Sequence, residues 1–576
     1  MKNIGLYTSC ILLAGLFSLA SLAAEESSGK PVTVGNPAEA AQLPAALQAA
    51  YSGGARDITI APGTYVIPAT GRSAIALVEW KDVRIAARGV SLVFEELAHR
   101  PFCLQRCEGV TLEGAVLRFA SPAFTQGRIV TRGHDDRGDF LDWQIDAGFP
   151  VGLDPTKSTF DVADQKTRRI KAGTGDVGVR ECEALGDRRF RLRSINGLLG
   201  SAAAGDWLFT RVTPCEPVVH LEGCSRCTMR EVTLQNAWFA AFFETSGDGG
   251  HVYIGCKVAP GPKPAGATED PLVGCGADGF HSAGVRTGPT IERCVWEGLL
   301  HDDCIAIHGA LQKVEQVEAN KLILEKGNRG NFVVGEPVRM SSQGGFFGEF
   351  TCKALRTLGD GRLELTLDRP SGAPTESKAS NPRHNGAGFK ILNCTLGNTR
   401  SRGILVKADH GLIEGNTISG CGMSAISIGP EYSWGEADYA RHVTVRGNTL
   451  SENVLNGSAA GTILIHGDGA IGNADITIAD NFFDRNYGQT AIHVAYTDGV
   501  RIATNRFIAS PLLLPGKART ILHLETSRNI TLHSNTVANP AAQDTLVTLG
   551  KNVEAITGND ATGFRRSSPV ASPAGK

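Results

Sequence analysis

Gly411-Leu412-Ile413-Glu414-Gly415-Asn416 and His442-Val443-Thr444-Val445-Arg446-Gly447-Asn448 share one pattern. Asp475-Ile476-Thr477-Ile478-Ala479-Asp480-Asn481 and Asn529-Ile530-Thr531-Leu532-His533-Ser534-Asn535 repeat it, and Asn505 closes another copy. Each is an alternating apolar segment that ends in a turn and an asparagine. The interval between copies is in the twenties to low thirties of residues, the mark of stacked repeats. The units are strands, because apolar residues alternate with period two and Val, Ile and Thr dominate. An asparagine amide can bond neighbouring backbone in a turn, and stacked coils let such amides form a ladder. The fold expected is all-β, a right-handed parallel β-helix in which each coil buries the next.

The same grammar appears upstream in Val110-Thr111-Leu112-Glu113-Gly114, Glu231-Val232-Thr233-Leu234 and Val252-Tyr253-Ile254-Gly255-Cys256. Asp57 to Tyr65 looks like an opening coil, and Leu43 to Tyr51 like a short helix covering the exposed end of the stack. Residues of roughly 126–215 and 309–385 break the period yet keep short alternating strands, which suggests two inserted small antiparallel β-barrel subdomains. The organisation expected is a signal peptide over 1–24, the cap and first coils over 25–125 and the first insertion over 126–215. Coils carrying the chemistry follow over 216–308, the second insertion over 309–385 and C-terminal coils over 386–564, with a disordered tail over 565–576.

The formal net charge of the 576 residues is −2, so no basic field recruits nucleic acid or anionic lipid. Lys2, the apolar run Ile11 to Leu22 and the small-residue site at Ser21-Leu22-Ala23 read as a secretory signal, which implies a periplasmic or secreted protein. That run is too short to span a bilayer, and no later one is long enough. Of the 14 cysteines, Cys10 leaves with the signal, so the number remaining is odd and at least one is free or pairs between chains. Cys224-Ser225-Arg226-Cys227 lacks a second pair at zinc spacing and reads as a turn pair. Cys256, Cys294 and Cys394 each precede a strand-like triplet and read as structural residues stacked between coils. No motif calls for a metal or a cofactor, and the sequence leaves the oligomeric state open.

The strongest chemical signal is Gly276-Ala277-Asp278-Gly279-Phe280-His281, followed by His301-Asp302-Asp303-Cys304-Ile305-Ala306-Ile307-His308-Gly309. Asp278 and the Asp302-Asp303 pair lie about one coil apart, and neighbouring rungs of a β-helix are about 4.8 Å apart. Three crowded carboxylates cannot all ionise cheaply, so at least one pKa should rise. That split gives a general acid beside a carboxylate base, as glycosidic hydrolysis needs. An Asp-Asp pair is also the signature of a solvated Asx turn, and three carboxylates also suit calcium. Adjacent residues of an ideal strand face opposite ways, so the pair is expected at a bend that turns both to the groove. His281 and His308 are candidates for orienting substrate or carboxylates, or are structural.

Asp278-Gly279 with Asp302-Asp303-Cys304-Ile305-Ala306-Ile307 is similar to the pattern of the polygalacturonase family, glycoside hydrolase family 28, although that family's Gly-His-Gly and Arg-Ile-Lys segments are not evident downstream of these aspartates. The chain more closely resembles glycoside hydrolase family 110, the inverting exo-acting α-galactosidases. The resemblance runs from Ala277-Asp278 through His281, Gly284, Trp296-Glu297-Gly298, Asp302-Asp303, Ile307-His308-Gly309 and Lys313-Val314. It resumes at Asn398, Arg400, Arg402-Gly403, Ser424-Ala425-Ile426, Trp434-Gly435-Glu436 and Arg441-His442-Val443-Thr444. Cys304 and Ala306 stand where that family is associated with alanine and asparagine.

The resemblance implies a carbohydrate substrate, with Asp302 as the acid on the leaving oxygen. Asp278 and Asp303 would activate the attacking water, with inversion at the anomeric carbon. Trp434, in the excursion Pro430 to Ala440, is placed to stack on a sugar ring, with Glu436 bonding hydroxyls. Arg402 binds a hydroxyl or a carboxylate, or forms a structural salt bridge. Trp238 and Glu244 are weaker candidates for the same face one coil earlier. A uronic-acid hydrolase, a polysaccharide lyase and a non-catalytic glycan-binding β-helix are the rival readings.

Overall fold

The computed structural model describes residues 31–68, 73–96, 100–197, 199–211, 216–237, 239–508, 518–538 and 544–558. The expected signal peptide over 1–24 and tail over 565–576 lie outside the described residues. The chain is a parallel β-helix with three long sheets, which carry 14, 12 and 13 strands among the described residues. One coil shows how sequence becomes structure. Leu412–Glu414 runs in the first sheet, Thr417–Cys421 in the second and Ile426–Ile428 in the third. The next coil pairs with it in register, Ile413 with Val445, Ile418 with Leu450 and Ile426 with Ile463. Because side chains alternate across a strand, Ile413, Val445, Ile418, Leu450, Ile426 and Ile463 all enter one continuous core.

The turn between the first and second sheets explains the repeated asparagine. Gly415 and Gly447 take left-handed backbone at φ 68° and 63°, and Asp480, Thr504 and Ser534 take it at the same point of later coils. Glycine has no Cβ to clash there, and the others are tolerated because the stack fixes the bend. The residue after each bend is the buried asparagine. The Asn416 amide donates to the carbonyl of Ile391 one coil earlier at 2.9 Å, and its backbone N–H and amide both donate to Asn448 Oδ1 at 2.9 Å. Asn448, Asn481, Asn505 and Asn535 continue the ladder. Upstream, Cys294 and Cys394 occupy the same place, their thiols directed at the carbonyls of Tyr253 and Ile291. The described cysteines are all free thiols. A second ladder, Asn453 over Asn486, lines the turn after the second sheet.

Helix Leu43–Ser52 closes the N-terminal end, with Leu43 and Leu47 in the core and Tyr51 stacked on Trp80 at 4.3 Å between ring centroids. Both insertions are antiparallel. The first runs from strand Phe124–Asp135 to Trp207–Arg211 as an eight-stranded sheet, with its own core around Trp143, Phe160 and Leu208. No pairing among its described strands closes it into the cylinder expected from the sequence. The second runs from Gln312–Glu318 to Lys378–Ser380 and is a closed six-stranded barrel around Val314, Leu324, Met340 and Leu365.

Candidate active site

Strands Phe280–Ala283 and Ile305–Ala310 are parallel neighbours in the third sheet, with His281 opposite Ala306 and Ala283 opposite His308. Alternation sends Phe280, Ile305 and Ile307 into the core and leaves His281 and His308 on the outer face. On the next rung Lys407 lies opposite His308. Asp278 and the Asp302-Asp303 pair immediately precede these strands, at the bend from the second sheet into the third. The bend removes the strand alternation, so all three carboxyl groups converge. One oxygen from each lies within 4.8 Å of the others.

The three groups differ in surroundings. Asp303 Oδ1 accepts from Ser401 Oγ at 2.6 Å and from the backbone N–H of Arg402 at 2.9 Å, and Oδ2 from Arg402 Nη1 at 3.1 Å. Asp302 is partly exposed, and its carboxyl Oδ1 accepts from the N–H of Asp303 at 3.2 Å. Enclosure, then the charges of Asp278 and Asp303, push its pKa up to about 8. Asp278 is 2% exposed. Burial raises its pKa, opposed by His281, and its Oδ1 is buried with no hydrogen-bond partner. Its Oδ2 lies 3.1 Å from His281 Nδ1.

A short relay continues from there. His281 Nε2 lies 2.8 Å from His308 Nε2, and His308 Nδ1 lies 2.6 Å from the carbonyl of Gly309. Burial opposes the His281 imidazolium, but the Asp278 carboxylate outweighs it and raises the pKa. Burial lowers His308 to about 4.

A charged clamp covers the far side. Lys407 is fully buried, and its ammonium donates to Glu431 at 2.8 Å and to Glu436. Glu431 also accepts from Arg402 Nη2 at 2.5 Å. Burial opposes the Glu436 carboxylate, but His308 and Lys407 pull its pKa down to about 2. Glu436 is placed by an antiparallel pairing of Glu436–Ala437 onto the strand that carries His308. The second barrel braces this excursion, with Arg339 Nη1 2.9 Å from Asp438 and Ser380 donating to Asp438 at 2.8 Å. The first insertion reaches the opposite flank. Its buried Asp161 lies 3.3 Å from Nδ1 of His301, and Arg400 donates to the His301 carbonyl at 2.6 Å.

The structure thus brings Asp278, Asp302, Asp303, His281, His308, Arg402 and Glu436 into one cluster. Arg402 is turned to Asp303 and Glu431, the salt-bridge alternative among its readings. Trp434 stands out from the same excursion, 73% exposed. Glu244 is a correction. Its strand places it in register with Ser282 on the inward face, where it is fully buried and accepts from Tyr253 Oη at 3.1 Å, so it lines no groove. Trp238 lies outside the described residues. Lys407, Glu431, Ser401 and the Asp161–His301 pair escaped the sequence reading. Only Lys407 left a usable signal, as a lysine ending the apolar run Ile404-Leu405-Val406.

No protein-family model matches the chain. It is 24% identical over 449 residues to the α-1,3-galactosidase B of Akkermansia muciniphila, covering 72% of this chain and 54% of that protein. It is 27% identical over 303 residues to the α-1,3-galactosidase A of Bacteroides thetaiotaomicron, covering 49% and 51%. The chain spans about half the length of the curated relatives it matches. Among solved structures, the catalytic unit of a glycoside hydrolase family 87 α-1,3-glucanase from Streptomyces thermodiastaticus superposes with TM-score 0.43 at 12% identity, covering 95% of this chain and 70% of that one. By sequence, then, the chain is similar to proteins named α-1,3-galactosidase, at 24–27% identity.

Proposed function

We propose that the chain is an exported glycoside hydrolase that releases terminal α-linked galactose from glycans with inversion at the anomeric carbon. The observation that carries this reading is the convergence of three carboxyl groups in unlike surroundings. Asp302 keeps its proton up to about 8, while Asp303 is paired with Arg402. In this mechanism Asp302 gives its proton to the glycosidic oxygen as the bond to the anomeric carbon breaks. Water attacks that carbon from the other face and passes a proton to the Asp278–Asp303 pair.

Similarity to α-1,3-galactosidases supports galactose as the sugar. The pairing of Arg402 and Lys407 with Asp303, Glu431 and Glu436 argues against a uronate in the same cleft. Inversion is drawn from the family resemblance. The carboxyl oxygens approach within 4.8 Å, closer than the about 6.5–9.5 Å usual for inverting pairs.

The test is hydrolysis of aryl α-galactosides and α-1,3-galactosyl disaccharides, with proton NMR of the first sugar released. Free β-galactose appearing first supports the reading. First release of the α-anomer refutes inversion, turnover of uronans alone refutes the sugar, and an unsaturated product absorbing in the ultraviolet refutes hydrolysis.

A further inference from the structure

The outer face of the third sheet carries a second set of ligand-type side chains, away from the carboxylate cluster. Strands Thr490–Ala495 and Thr520–Glu525 are parallel neighbours, with His493 opposite His523 and Ala495 opposite Glu525. The two-residue alternation puts His523 and Glu525 on one face, and the register puts His493 on the same face. The imidazole rings stand 4.7 Å apart at an interplanar angle of 69°. His493 Nε2 lies 3.0 Å from Glu525 Oε1. One ligand atom from each of the three lies within 4.8 Å of the other two. All three are part-buried, with the His493 and Glu525 side chains 21% and 36% exposed. Five strand steps separate this set from His281, about 24 Å at the usual strand spacing.

We infer that His493, His523 and Glu525 form a binding site for one zinc-type dication that fastens two successive coils together. Zinc takes imidazole nitrogen and carboxylate oxygen at about 2.0–2.2 Å in a four-coordinate set, so three protein ligands and one water complete it. Two nitrogens with one oxygen suit zinc, nickel, cobalt or copper and not calcium or magnesium, which take oxygen sets. The metal takes an imidazole lone pair, and any hydrogen held on the nitrogen that ligates it leaves to solvent.

A comparable set at Cys103, His220 and Glu222 is less suited, because the Arg100 guanidinium already holds Glu222 at 3.2 Å. At the His493 set the partner of the Glu525 carboxylate is His493 itself, a fellow ligand. Two rungs joined through one ion gain stability that grows with the logarithm of free metal above its Kd, since the unfolded chain does not hold the three donors together. The site is independent of the glycosidase reading.

The experiment uses the full chain without a polyhistidine tag, stripped with chelator and dialysed. Zinc chloride is expected to bind at one equivalent in calorimetry and to raise Tm, while magnesium and calcium chloride do neither. His493→Ala and His523→Ala each lower zinc affinity by at least about tenfold and remove the gain in Tm, with glycosidase turnover unchanged. Asp302→Asn keeps the gain. No zinc-dependent rise in Tm, or a rise intact in both histidine variants, overturns the site. Copper(II) electron paramagnetic resonance of the unsubstituted protein decides independently of how the variants fold. Two-nitrogen hyperfine structure supports the site, and an all-oxygen signal overturns it.

Discussion

His281 and His308 meet nitrogen to nitrogen, Nε2 to Nε2, at 2.8 Å. Only one of the two atoms can carry the hydrogen. His308 Nδ1 faces the Gly309 carbonyl at 2.6 Å and must be the protonated nitrogen of that ring, so its Nε2 offers a lone pair. The hydrogen between the rings therefore belongs to His281. That leaves one mobile proton, between His281 Nδ1 and Asp278 Oδ2.

Replacing His308 with Ala frees His281 to change tautomer and to turn away from Asp278. Turnover is expected to fall by about ten- to a hundredfold, the scale of orienting contacts behind a reacting group, with KM little changed. Steady-state kinetics beside a Tm measurement separates this from unfolding. An unaltered kcat would place the relay outside the reaction.

The alkaline limb of activity should reflect Asp302. A raised carboxyl stays protonated, and able to donate, until pH passes its folded value of about 8. kcat/KM is expected to fall above about pH 8, with the apparent constants belonging to the cluster as a whole. The same shift acts on stability. The unfolded chain ionises Asp302 near its ordinary 3.8, so this group's stabilising contribution is present below that pH and is lost as pH rises toward about 8. A kcat/KM profile and a Tm series across that range check both signs.

Among the described residues Lys407 is the cation that Glu431 and Glu436 share, at the buried end of the clamp. Lys407→Met leaves two carboxylates without their shared partner, which costs about 3–5 kcal/mol in a buried setting. The excursion bearing Trp434 should loosen, lowering Tm and raising KM. Adding Glu436→Gln should recover part of the Tm. Thermal denaturation of the single and double variants measures the coupling.

Trp434 packs little and projects far, so its loss should not disturb the fold. Trp434→Ala is expected to leave Tm unchanged and to raise KM for a galactoside by up to about tenfold, as loss of aromatic stacking of about 0.5–1.5 kcal/mol implies. A KM that stays put would remove the ring from the substrate path.

The coils were legible because one short rule repeats. Alternating Ile and Val, a left-handed bend and an inward asparagine recur from Asn416 to Asn535, and the hydrogen-bonded ladder is their direct consequence. The cysteines at 294 and 394 fit that rule because the position asks for a small buried side chain. The carboxylate cluster was legible for the same reason, since one coil of separation in sequence means one rung in space. Glu244 was misplaced because the face of a strand depends on its phase, and residue 244 follows the inward Phe242 by two. Glu431 pairing with Arg402, and Asp161 meeting His301 140 residues away in the chain, depend on how an excursion and an insertion fold back onto the helix. No local pattern encodes that return.

Turnover by Asp302→Asn on an α-galactosyl disaccharide tests the proposed acid. The variant keeps the shape of the side chain and removes the proton it donates. A loss of about 10²–10⁴-fold is expected at unchanged Tm, and a smaller loss on an aryl α-galactoside, whose leaving group needs less protonation. Disaccharide turnover equal to that of the unsubstituted protein would show that the three converging carboxyl groups are not the hydrolytic centre.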